Sequence, residues 1–88
     1  MNRERRKALH KVVERLEQCQ SEVEELRGEI EDIIAEEQEA YDNMPEGFQN
    51  GDRGQEMQEY IDTMESAASD LDNADLSDII ESLGEIAM

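Results

Sequence analysis

The residues of this chain whose types could do chemistry are an acidic cluster between Asp70 and Glu81, one histidine and one cysteine. Asp70-Leu71-Asp72-Asn73-Ala74-Asp75, with Glu81 at the twelfth position, is spaced like the ligands of an EF-hand calcium loop. Two positions break the match. The fifth is Ala74, whose side chain offers no oxygen, and the sixth is Asp75, where the loop's sharp turn needs glycine. A solvated acidic kink accounts for these residues, and no metal is expected.

His10 is the only histidine, so neither a zinc site nor a proton relay can be assembled around it. Cys19 falls on an apolar stripe, where a small thiol is read as packing, and nothing near it in sequence activates it as a nucleophile. The chain has no glycine-rich phosphate loop, no serine, histidine and acid set and no second cysteine. Its many carboxylates recur at helical spacing, as Glu24, Glu31 and Glu39 do, which describes the wet face of a helix rather than an acid/base pair. The expectation is a protein that is not an enzyme and takes no cofactor.

The elements that carry these residues can be read from periodicity. Every seventh residue from Leu9 gives Leu9, Leu16, Val23, Ile30, Glu37 and Met44, and every seventh from Val12 gives Val12, Cys19, Leu26, Ile33 and Ala40. With Glu37 the one violation, this is the a/d pattern of a coiled-coil-like helix. Val13, Ile34 and Tyr41 at the neighbouring e positions widen the stripe beyond a two-stranded seam, which suits a bundle of three or four helices. Gly28 falls at an outward f position and is read as tolerated within the helix.

Pro45 disfavours helical geometry at Met44 and is followed by loop-forming residues, so the first helix is predicted over residues 3–43 and a loop over 44–52. Asp52 and Gln55 have the spacing of a capping box, predicting a second helix over 53–87. Its stripe of Met57, Tyr60, Ile61, Met64, Ala67, Ala68 and Leu71 is interrupted at residues 72–75 and resumes in shifted phase with Leu76, Ile79, Ile80, Leu83, Ile86 and Ala87. One continuous helix with a stutter is preferred over a break near residue 73 that leaves a third short helix capped by Asp75. The fold class is therefore all-α, a long antiparallel helical hairpin in a single domain.

Charge supports the hairpin. Of 8 basic and 25 acidic residues, Arg3, Arg5, Arg6, Lys7, Lys11 and Arg15 fall in the first fifteen positions, leaving that segment near +4 in a chain of net charge -17. The antiparallel fold sets it beside Asp78, Glu81 and Glu85 of the return helix, an arrangement that selects orientation more than it stabilises. The remaining anionic body opposes direct binding of nucleic acid or anionic membrane. No unbroken apolar run of seven or more follows the basic start, so neither export nor a membrane span is expected, and the lone cysteine agrees with a reducing compartment. A cytoplasmic address in a bacterial host cell is the working expectation. At the loop end, Tyr41, Met44, Phe48, Met57 and Tyr60 are predicted to form a plug, with Phe48 folded inward.

The stretch Ala40-Tyr41-Asp42-Asn43-Met44-Pro45-Glu46-Gly47-Phe48-Gln49, followed by Arg53-Gly54 and a helical run, resembles uncharacterised small acidic proteins of Firmicutes phages and prophages. The likeness spans residues 3–70. It implies a helical hairpin and a mobile-element origin, and it assigns no residue a role.

Two functional expectations follow. In one, the chain is a non-enzymatic protein-binding module, in its sharper form an anti-defence inhibitor whose carboxylates imitate a nucleic-acid backbone for a partner with a basic surface. Its contact residues are then Glu24, Glu31, Glu36, Glu39, Asp42, Glu56 and Glu59, with Tyr41 and Phe48. In the other it is an assembly module that self-associates and scaffolds partner proteins. A homodimer in the form of a four-helix bundle is expected, joined through Leu9, Val13, Leu16, Ile30, Ile34, Ile80 and Leu83.

Overall fold

A computed structural model describes residues 1–88. Helix α1 runs from Arg3 to Asp42, opened by Asn2, whose Oδ1 accepts from the Arg5 N–H at 2.8 Å. It passes through Gly28 unbroken and stops before Pro45, as the sequence requires. The chain then makes a single helical turn, α2 (Glu46–Gln49), and returns through α3 (Asp52–Asn73) and α4 (Ser77–Ala87), both packed along α1. The result is the expected all-α antiparallel hairpin, a rod of 69 × 14 × 13 Å.

The reversal differs in detail from the loop expected over 44–52. No residue in it has positive φ. Pro45, extended at φ -57° and ψ 144°, redirects the chain into α2, and the Gln49 Nε2 donates to the Tyr41 carbonyl at 2.9 Å, occupying one of the free acceptors at the end of α1. Helix α3 begins behind Gly51, and Asp52 is its first residue with no side-chain cap, so the capping box does not form. What fixes this corner is Gly54, which is buried against α2. A Cβ there would meet the backbone of Gln49, its Cα only 2.7 Å away.

The return arm is not continuous, which corrects the helix expected over 53–87. Ala74 leaves helical geometry at φ -83° and ψ 53°, and Leu76 precedes α4. The physical reason lies on both arms. Asp75 Oδ1 accepts from the Ser77 N–H at 2.9 Å, an Asx turn that competes with helix, while the freed Leu76 N–H donates across the hairpin to Gln20 Oε1 at 2.8 Å. Arg27 pairs with Asp72 just before the break. Two polar side chains of α1 thus staple the interruption in place.

The core also departs from the expected a/d seam. On α1 the less exposed residues are Leu9, Val13, Leu16, Gln20, Val23, Arg27, Ile30, Ile34, Glu37 and Tyr41, all at a and e positions, together with Gly28 and Gln38, and Met44 just past the helix continues the a column. Opposite them on α3 lie Met57, Ile61 and Ala68, and only five of 88 residues are buried. Gln20 and Arg27 sit in the e column, so α1 must turn that side inward for them to reach the break at Leu76 and Asp72.

Candidate protein interface

On a helix the d positions lie about 60° to one side of a, and the e positions about 40° to the other. Committing a and e to the hairpin therefore leaves the d column outside. Val12, Leu26 and Ile33 are 44, 45 and 52% exposed, and Cys19 and Ala40 are exposed with them. This corrects the placement of Cys19 in a core.

The two flanks of the rod are unlike. On the e side, Arg27, Glu31 and Ile34 line a groove with Glu65, Ser69 and Asp72, and Gln20 and Glu24 continue it with Asp75 and Ser77. That flank is polar. On the other side Tyr60 stands beside Glu37, Arg53 and Glu56, and the same helical phase carries Met64 and Ala67 of α3. In α4, Ser77 belongs to the polar groove while Ile80, Leu83 and Ala87 turn inward, which leaves Ile79 and Ile86 on the second flank, 49 and 48% exposed. One flank of the rod is thus an apolar strip contributed by all three long elements. Scattered exposed apolar residues need no explanation, whereas apolar residues aligned along one face make that face the candidate interaction surface of the rod.

Comparison with protein-family models, curated proteins and solved structures finds no match. The interface has to be read from its own geometry.

The sequence-expected residues fall into three groups. Leu9, Val13, Leu16, Ile30, Ile34, Ile80 and Leu83 lie in the hairpin's own seam, Val13 buried and the rest half-buried, so much of their apolar surface is already used within the chain. Glu24 and Glu31 stand on the polar flank, and Glu36, Glu39, Asp42, Glu56 and Glu59 are exposed toward the loop end. Tyr41 is half-buried. Phe48 is 63% exposed and points outward, which corrects the inward plug: the closure at this end comes from Tyr41, Met44, Gln49, Gly54 and Met57, because the short α2 carries Phe48 on its solvent side.

Electrostatics sharpen the asymmetry. The ion pairs of the chain are His10 with Glu14, Arg27 with Glu31 and Arg27 with Asp72. None involves Arg3, Arg5, Arg6, Lys7, Lys11 or Arg15, so the expected pairing of this segment with Asp78, Glu81 and Glu85 does not form. The rod therefore has one end where six cations and five acids nearly balance without close pairing, and a loop end that is strongly anionic. Two groups are perturbed. The Ser77 side chain and backbone N–H hold the Asp75 carboxyl below its usual range, and the Tyr60 phenol is pushed up by its hydrogen bond to Glu56 and by the charge of that carboxylate. Both serve local structure. No three metal-ligating side chains converge anywhere, and no helix is long and apolar enough to cross a membrane.

The apolar flank was missed in the sequence because a d–a–e stripe does not say which two columns the return helix will cover. The available signal was Gln20 and Arg27, polar residues in the e column at the level of the interruption on the return arm.

Proposed function

We propose that this chain is a non-enzymatic protein-binding module of phage or prophage origin, and that it works by laying its apolar flank along a helical surface of another polypeptide chain. The observation that carries this reading is the exposed row of Val12, Leu26 and Ile33 beside Ile79 and Ile86, in a chain with only four buried apolar side chains, Val13, Met57, Ile61 and Ala68. A structure with so little core leaves a large fraction of its apolar side chains to be covered from outside.

Affinity capture from bacterial lysate followed by mass spectrometry tests it. The Leu26→Asp and Ile33→Asp variants should lose the captured protein while keeping the helical circular-dichroism spectrum, and Phe48→Ser, off the flank, should retain it. Undiminished capture by both flank variants would refute the reading.

Acidic mimicry of a nucleic-acid backbone is the second reading, favoured by one specific feature. Of the chain's 25 acids, only Glu14, Glu31 and Asp72 take part in ion pairs. Such a partner would present a basic groove to Glu36, Glu39, Asp42, Glu56 and Glu59. Capture abolished by 0.5 M salt, where the screening length falls to about 4 to 5 Å, would support mimicry over apolar docking, and capture that survives would remove it.

A further inference from the structure

We infer that the partner of the apolar flank is a second copy of this chain, laid antiparallel about a two-fold axis at Leu26. The inference rests on the protein-binding reading of that flank and names its occupant.

The exposed column is self-complementary. Stepping outward from Leu26 in sevens reaches Cys19 and Ile33, then Val12 and Ala40. Reversing a second copy about Leu26 sets Leu26 on Leu26, Cys19 on Ile33 and Val12 on Ala40, apolar against apolar at every level, as an isologous contact requires. Periodicity alone would permit a parallel pairing as well, because each residue would then face itself.

Charge chooses between the two. At the end where α1 begins, the six cations of residues 1–15 stand with Glu4 and Glu14 and with Asp78, Glu81 and Glu85 of the packed α4, leaving that end near +1, while residues 36–46 carry Glu36, Glu37, Glu39, Asp42 and Glu46 and the adjoining start of α3 adds Asp52, Glu56 and Glu59 against Arg53 alone. A parallel dimer stacks acidic end on acidic end. The antiparallel dimer keeps the acidic ends apart and sets each beside the cation-rich start of the other copy's α1, with Arg15 opposite Glu36, both on the g rim of the strip. Its adverse meeting on this rim is Glu22 with Glu29, made twice by the two-fold, and both side chains are solvent-exposed. A net charge of -17 per copy opposes association, and local screening over about 8 Å at physiological salt leaves the neighbouring ends as the contacts that matter.

The area is sufficient. The column from Val12 to Ala40 is about 42 Å long at ~1.5 Å per residue. On a rod 14 Å wide it projects to roughly 600 Å² per copy, and the accessible area of a knobbed helix face exceeds its projection. Two copies therefore reach the ~1,200 Å² at which standard interfaces begin.

Cysteine position supplies a test that separates the arrangements. In the antiparallel dimer two Cys19 residues stand fourteen residues apart along the axis, about 21 Å, whereas in a parallel one they face each other within disulfide reach. Sedimentation equilibrium of the full chain should give a dimer in the micromolar range, and Leu26→Asp should raise the dissociation constant at least tenfold. With a mild oxidant, the native Cys19 should stay uncross-linked while the double variant Cys19→Ser, Leu26→Cys closes into a covalent dimer across the two-fold. A monomer mass throughout that range, or native Cys19 cross-linking as readily as the double variant, overturns the inference. The monomer result leaves the flank's reading to the capture experiment, so a flank that captures another protein without dimerising is distinguished from a flank that binds nothing.

Discussion

Ile61 and Ile33 are the same residue type on opposite sides of the hairpin's accounting of surface, and truncating each to alanine tests which columns form the core. Ile61 is 2% exposed and Ile33 52%. Each substitution removes three carbons, worth about 0.8 kcal/mol apiece when fully buried, and at an enclosed site a cavity term adds to that, giving about 3 kcal/mol for Ile61→Ala. At Ile33 only about half of the surface is withdrawn from water, no cavity is enclosed and alanine gains some helix propensity, so the loss should be about 1 kcal/mol or less. The gap of about 2 kcal/mol corresponds to a difference in Tm of about 8 to 16 °C for a domain of this size. Circular-dichroism melts in dilute protein, where association is negligible, read it directly. Raising the protein concentration should then enlarge the Ile33→Ala loss and not the Ile61→Ala loss, because only the former touches the interface. Equal losses in dilute protein, or a larger one at Ile33, would refute the a/e seam and restore the a/d one.

The remaining predictions concern the two stapled corners. Gly54→Ala should destabilise by about 1 to 3 kcal/mol through collision with the Gln49 backbone, whereas Gly47→Ala, where a Cβ meets nothing within 4 Å, should be neutral or slightly stabilising; urea melts of the pair decide it. Gln20→Leu removes the acceptor of the Leu76 N–H, and hydrogen exchange at Leu76 should accelerate selectively, with a stability loss of about 1 kcal/mol. Asp75 has its folded pKa depressed by Ser77, so its contribution is present above its unfolded pKa and fades as pH falls through the folded value. NMR titration should show the Asp75 carboxyl protonating below the ordinary aspartate range, with Asp75→Asn abolishing the local acid-induced change in α4; a carboxyl titrating at the ordinary value would remove the assigned role of Ser77.

Much of the architecture was legible because the signals act locally. Pro45 ends a helix by sterics that no tertiary context can relieve, and the sevenfold recurrence from Leu9 and Val12 has no economical reading other than a long helix. The break at Ala74 was harder, since a four-residue polar interruption fits both a stutter and a stop. What resolves it is a contact 56 residues away in sequence, Gln20 with the Leu76 N–H, which local pattern does not contain. Phe48 was misplaced for a related reason. An aromatic beside a turn is usually drawn inward, but α2 is one turn long, and its inner side is already filled by the Gly54 contact and by Gln49 reaching back to Tyr41.

The same reasoning explains why the candidate interface is visible only once the hairpin is closed. A stripe three columns wide holds more apolar surface than one return arm can cover, so some column must be left over, and the sequence sets its size before the fold sets its location. Gln20 and Arg27 make the choice. By turning the e column toward the break they expose d, and the location of the proposed binding surface becomes a consequence of how two polar residues are satisfied. Folding and association are then linked through one seam: a partner on the d column at 100 times its dissociation constant adds about 2.7 kcal/mol to the stability of the hairpin. A substitution such as Gln20→Leu, which touches no partner, should therefore weaken partner binding as well as the hairpin, since it loosens the commitment of e to the interior that holds d outside.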